Sequence, residues 1–158
     1  MTGKLYRIPF SRSYLEFQLP QGFQATQAVS KQIKPVEDVP KAIQEALSNP
    51  IGTSPLGELT GPGDKVCIVF TDSTRASPDH LLVPAMLREL QKAGVKDEDI
   101  TLLCGTGMHR PSTRAEKIDK LGVGIVERYC VIDNDPQNPA ALVDLGATRT
   151  GIPVQIHR

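Results

Sequence analysis

An α/β fold, with a parallel or mostly parallel sheet flanked by helices, is what this sequence predicts, on three observations. Two apolar runs of strand length, over 65–71 and 100–105, each end abruptly in small, hydroxylated and charged residues. Each run is followed by a stretch with the 3.6-residue spacing of a half-buried helix. Strand, polar loop, capped helix and strand again is a βαβ unit, and such units build parallel sheets. The repeated order makes the expected winding Rossmann-like.

In chain order, the first elements are β. Tyr6, Ile8 and Phe10, then Tyr14, Leu15, Phe17 and Leu19, alternate around Ser11-Arg12-Ser13, which predicts an amino-terminal hairpin or paired edge strands ending at Pro20-Gln21-Gly22. From 36 to 47 the spacing of Val36, Val39, Ala42, Ile43, Ala46 and Leu47 is helical, and Asn49-Pro50 stops it. The Gly- and Pro-rich stretch 56–64 reads as a loop.

The second helix is expected over 78–93, with Ser77 as N-cap, Pro78 at the first helical position and Gly94 as the stop. A third is expected over 113–121, capped by Ser112 or Thr113, with Glu116 where a capping-box carboxylate falls. The apolar run Tyr129-Cys130-Val131-Ile132 follows. Residues 136–139 read as a loop, 140–145 as a short helix or turn, and 152–156 as a last strand.

Composition bounds the function classes. The 158 residues are enough for one domain, here expected to span 1–158, with a core that buries about two-thirds of the chain's surface. Eighteen basic and eighteen acidic residues balance to zero, so no electrostatic footprint for nucleic acid is present. Apolar runs are strand-sized, which excludes a spanning helix, and the start, Met1-Thr2-Gly3-Lys4-Leu5-Tyr6, has no apolar stretch of signal-peptide length. The expected location is the cytoplasm, with no membrane partner. Cys67, Cys104 and Cys130, an odd number at wide spacing, suit neither a disulfide framework nor a zinc knuckle and are expected as small buried hydrophobes. A reactive thiol is the other reading.

Ligands of open α/β sheets bind beyond the carboxyl ends of the strands. Asp72 and Arg75 follow the first run and His109 and Arg110 the second, so the two loops read as two walls of one site. A plainer account has Asp72 and Arg75 capping the next helix and pairing on the surface, where an ion pair contributes little. Gly105-Thr106-Gly107, between strand and helix, can present backbone N–H groups to an anion, although it lacks the Walker lysine and the full dinucleotide fingerprint. His109 is one of three histidines. Its near-neutral side chain suits it to accept a proton from an alcohol. His80, in the first turn of a helix, and His157, at the terminus, carry less weight.

Asp72-Ser73-Thr74-Arg75-Ala76-Ser77-Pro78, the helix behind it, and Gly105-Thr106-Gly107-Met108-His109-Arg110 together resemble the amino-terminal domain of the nickel-pincer lactate racemase family. There an Asp-x-Thr-Arg-x-x-Pro segment and a Gly-Thr/Ser-Gly-x-His-Arg segment recur in this order. Ile51-Gly52-Thr53-Ser54-Pro55-Leu56, Asn134-Asp135 and 146–154 agree as well. The resemblance implies that 1–158 is the cofactor- and substrate-binding front portion of a longer isomerase. That enzyme would racemise or epimerise a 2-hydroxy acid by hydride transfer to a nickel-pincer nucleotide.

By the same resemblance His109 is one of two catalytic bases, and Arg75, with Asp72, binds the substrate. Asp72, Ser73 and Thr74 orient Arg75 or the cofactor, while Gly105, Thr106 and Gly107 line the cofactor side. The second histidine, the lysine that tethers the cofactor, a nickel-ligating histidine and a carboxy-terminal domain lie further along in the family and are absent from these residues. This stretch alone is therefore expected to bind no cofactor covalently, to hold no metal ligand and to be inactive. A non-catalytic module for a phosphorylated or carboxylated small molecule is the alternative.

Overall fold

The structure, a computed structural model, describes residues 4–158, so Met1, Thr2 and Gly3, named above for the absence of a leader, lie outside it. The chain divides into two compact units, one up to Pro35 and the other from Val36 to Arg158.

In the first unit β1 (Leu5–Phe10) and β2 (Ser13–Gln18) form an antiparallel pair in register from Leu5↔Gln18 to Phe10↔Ser13. Only Ser11 and Arg12 connect them, and Ser11 takes the left-handed conformation (φ 54°) that a two-residue hairpin turn requires. Tyr6 stacks on Phe17 with ring centroids 5.8 Å apart, and the Arg7 guanidinium lies 3.9 Å from the Tyr14 ring centroid. The expected hairpin is present.

The second unit opens with α1 (Val39–Ser48), whose N-cap Asp38 accepts from the Lys41 N–H at 3.0 Å, and with the one-turn helix α2 (Leu56–Leu59), inside what was read as loop. Its centre is the run β3 (Val66–Thr71), α3 (Asp79–Lys92), β4 (Ile100–Gly105), α4 (Arg114–Leu121), α5 (Val123–Arg128) and β5 (Cys130–Asp133). The three strands pair in parallel in chain order. An antiparallel pair, β6 (Leu142–Ala147) and β7 (Pro153–His157), closes the unit.

Strands added in one direction, each through a right-handed crossover, put every crossover helix on the same face of the sheet. Burial follows that geometry. Ile68 and Phe70 of β3 and Ile100, Leu102 and Cys104 of β4 pack with Val83, Leu87 and Leu90 of α3 and Leu121 of α4. The residues between them on the other face stay open, Val69 at 65 % exposure. Cys104 is accordingly buried, but Cys67 and Cys130 are exposed, which corrects the expectation of three buried cysteines.

Gly94 stops α3 as expected. Its φ is +88°, and a Cβ there would meet Pro62 Cγ at 2.9 Å, so both conformation and space demand glycine. At the other end α3 begins one residue later than the sequence suggests. Pro78 is the cap residue, no side chain caps the helix, and the Ser77 hydroxyl bonds Asp79 instead of a backbone N–H. Residues 142–147 are a strand, preceded by the single 3₁₀ turn Pro139–Ala141, rather than a helix or turn over 140–145. Among the described residues no helix is long and apolar enough to cross a membrane.

Candidate functional site

The β3–β4 register sets Thr71 level with Gly105, so loops 72–78 and 106–113 leave the sheet side by side at its carboxyl edge. Asp72 heads the first loop. It is buried, and its Oδ1 accepts from the Thr74 N–H at 2.8 Å and the Thr74 hydroxyl at 2.6 Å. Its Oδ2 stands 2.6 Å from His109 Nδ1 of the second loop.

The Thr74 hydroxyl, then His109, then the Thr74 N–H hold the Asp72 carboxyl well below the usual carboxylate range. An ionised carboxylate only accepts, so Nδ1 of His109 carries the hydrogen and, in the neutral ring, Nε2 holds the free lone pair. The imidazole itself is about half exposed. This is an oriented base facing open space, with its tautomer set by a buried anion.

Backbone bonds shape the second loop. Thr106 N–H donates to the Cys104 carbonyl at 3.0 Å and His109 N–H to the Thr106 carbonyl at 3.0 Å. Gly107 between them has φ +57° and open space where a Cβ would stand. Thr106 is buried, its hydroxyl donating to the Asn134 carbonyl at 2.9 Å. Behind the loop Thr113 and Glu116 form a complete capping box on α4. Arg110 clasps the same Glu116 through Nη1 at 2.9 Å and Nη2 at 2.6 Å. Arg110, followed by the Thr113 N–H, brings the Glu116 carboxyl down to about 2.

A cleft of about 260 Å³ is lined by Asp72, Ser73, Thr74, His109, Arg110 and Ser112. A second, of about 350 Å³, shares His109 and Arg110 and continues to Asn134, Asp135 and Gln137. A larger cleft, about 440 Å³ against the helices near Arg88 and Ile125, touches none of these residues. Chemistry and volume disagree about the site, and the oriented histidine decides for the smaller clefts.

The structure thus brings Asp72, Ser73, Thr74 and His109 to one wall. Gly105, Thr106 and Gly107 form the turn that delivers His109. Arg75 is not in that lining. It is exposed beside the lining, its N–H donating to the Asp72 carbonyl at 3.2 Å, and its guanidinium is free among the described residues. No group of three or more His, Cys, Asp or Glu able to hold a metal is found among the described residues.

Two largely shielded ion pairs support the loops and were not legible in the sequence. Lys120 of α4 meets Asp79 at 2.9 Å, and Lys117 meets Asp133 at 2.6 Å while the Ser112 N–H donates to the same carboxylate at 3.2 Å. Both lysines look like surface residues of a short helix. The sole available signal was an acid, Asp79, following a proline at a helix start.

Comparison with known proteins identifies the family and fold. The family described as the lactate racemase N-terminal domain matches residues 10–158. A lactate racemase from Thermoanaerobacterium thermosaccharolyticum is 30% identical over 155 residues, 96% of this chain and 36% of that protein. One from Lactiplantibacillus plantarum is 32% identical over 111 residues, 70% of this chain and 26% of that protein. The structure of the T. thermosaccharolyticum lactate racemase apoprotein superposes with TM-score 0.75 at 28% identity, over 98% of this chain and 36% of that one. A Thermotoga maritima protein gives 0.59 at 26% identity, over 76% and 30%. The chain spans 26–36% of the length of the curated relatives it matches. With nearly all of its residues matched, a parallel sheet flanked by helices and a close structural counterpart, this chain belongs to the lactate racemase N-terminal domain family.

Proposed function

We propose that this chain is the front portion of a longer cytoplasmic enzyme that racemises or epimerises a 2-hydroxy acid, and that it supplies one of the two proton-transfer bases. The observation that carries this is the Asp72–His109 contact, 2.6 Å at Nδ1, at the open carboxyl edge of the sheet. An alcohol that becomes a carbonyl must lose its hydroxyl proton, and an oriented imidazole with Nε2 free is suited to take it.

The residues present fit the organic part of a nickel-pincer nucleotide. Gly107 leaves backbone accessible where a Cβ would stand, so it would approach the group closely, with Gly105 and Thr106 shaping the turn behind it. Ser73 and Thr74 would offer hydroxyls from the same lining that holds His109. The chemistry such a group supplies when bound is to accept and return the α-hydrogen as hydride. His109 Nε2 takes the hydroxyl proton of one enantiomer and, in the reverse direction, returns it to the carbonyl oxygen. Arg75, exposed one residue beyond the Thr74 of the lining, would hold the substrate carboxylate through its planar fork. Asp72 keeps the imidazole in its tautomer and stabilises it once protonated. A second base on the other face of the flat intermediate, and the carboxy-terminal domain that closes the cleft, come from outside these residues.

The test is circular dichroism of each lactate enantiomer incubated with the full-length protein that carries this chain. His109→Ala should lower the rate in both directions by about 10²–10⁴-fold. Unchanged turnover in that variant would remove His109 from the mechanism. It would also leave a non-catalytic site for carboxylate or phosphate, suggested by the free Arg75, as the better reading.

A further inference from the structure

The geometry points to Lys120 as a positioning residue of this site: its ammonium, buried under the first loop, sets where Arg75 stands relative to His109. Lys120 lies in the last turn of α4, the helix that the His109 loop starts, yet its side chain reaches back beneath the other loop and is only 11% exposed. It donates to the Arg75 carbonyl at 2.7 Å, to the Thr71 hydroxyl at 2.9 Å and to Asp79 Oδ2 at 2.9 Å, with the Ser77 carbonyl at 3.3 Å sharing a proton. An ammonium has three donors, so these contacts exhaust it.

Asp79 completes the arrangement. Its Oδ2 also accepts from the Thr71 hydroxyl at 2.6 Å and its Oδ1 from the Ser77 hydroxyl at 2.8 Å. The beginning, middle and end of the first loop are therefore tied to one charge pair, which is anchored on the helix of the second loop.

Stability alone does not account for this. A buried ion pair is weak evidence for stabilisation, since an apolar pair of similar volume would also hold α4 against α3. What an apolar pair could not do is bind the Arg75 carbonyl. The Arg75 guanidinium has no partner among the described residues, so what the protein holds of this residue is its backbone, the point from which the side chain reaches. There one bond runs from its N–H to Asp72, the residue that holds His109, and the other runs from Lys120 to its carbonyl.

The inference rests on the function proposed for Arg75 and His109, and the experiment separates the two. In the full-length protein, Lys120→Met, Arg75→Ala and the double variant are compared for KM and kcat with lactate, and for pyruvate binding by calorimetry. Thermal unfolding confirms that each is folded. Thr71→Val, which removes one partner of the ammonium and keeps the charge pair, stands in should Lys120→Met not fold.

Lys120→Met should raise KM and weaken pyruvate binding about tenfold, with a smaller change in kcat, because an Arg75 displaced by a fraction of an ångström no longer meets the carboxylate squarely. Thr71→Val should shift both in the same direction by about two- to threefold. In the Arg75→Ala background neither substitution should add more. A folded Lys120→Met with unaltered KM, or one whose defect multiplies undiminished onto Arg75→Ala, overturns the inference and leaves lactate turnover intact as support for the function. A protein that binds pyruvate through Arg75 without turning over lactate overturns the racemase reading alone. One that does neither overturns both.

Discussion

The two loops that meet at the Asp72–His109 contact are built on opposite plans. The second, 106–113, is held largely by its own backbone, with Asp133 and the Asn134 carbonyl as outside anchors. Its turns close through backbone bonds, Gly107 supplies the left-handed residue, and a complete capping box starts α4. The first, 72–78, carries short bonds from Thr74 and Arg75 to Asp72, but its helix has no side-chain cap and its far half is tied through Asp79 to Lys120 of another helix. A loop tied by its own backbone tolerates side-chain changes around it. A loop tied by a distant ammonium is positioned only while both partners are present and charged.

That contrast is broken most directly at Asp79. Asp79→Ala leaves the Lys120 ammonium buried without its counter-charge and should cost about 3–5 kcal/mol by urea unfolding of this chain. Adding Lys120→Met to it should restore much of that loss. Should Asp79→Ala cost less than the loss of the α4 cap, the two plans would not differ as described.

Asp72→Asn comes next. It keeps the shape of the contact but not the anion that fixes the His109 tautomer, and should lower racemisation by the full-length protein about 10- to 100-fold with little change in substrate KM. Equal losses in kcat and in pyruvate affinity would move Asp72 from the base to the substrate.

The smallest effect belongs to the second loop. Thr113→Ala should cost about 1 kcal/mol, the ordinary worth of a cap, and leave the first loop unaffected. Its partner Glu116 titrates near 2 in the folded chain, below its ordinary value. A carboxyl depressed on folding stabilises at pH above its unfolded value and loses that contribution as pH falls through the folded one. The capping box should therefore persist at pH 3.5 in a carboxyl NMR titration and dissolve only toward pH 2. The Asp79 carboxyl, against the opposing effect of burial, is lowered by Thr71, Lys120 and Ser77, so the first loop also loosens on acidification.

Local chemistry was legible in the sequence, and long-range chemistry was not. The strand ends, the Thr113–Glu116 box and the Gly94 stop are each specified within a few residues, and each stands where expected. Ser77 was misread because a hydroxyl two residues before an acid can bond that acid as readily as a backbone N–H. The choice was made by Lys120, more than forty residues away. Periodicity showed that Cys67 and Cys130 lie in strands but not which face the helices cover, and they fall on the open one. Residues 142–147 lacked a pattern of their own, and pairing with β7 makes them a strand. The residues of the base and its anion were legible one by one. That they touch is a product of the β3–β4 register.

Because successive strands pair in chain order, nearly everything that defines the base lies in one contiguous stretch, 66–121: the anion, the histidine, the free arginine, the clasped arginine, the buried ammonium and the capping box. Only Asp133 and the Asn134 carbonyl reach in from later in the chain to hold the second loop. A site so arranged has its local geometry written in one stretch of chain, and any rearrangement that moves that stretch as a whole moves these contacts together.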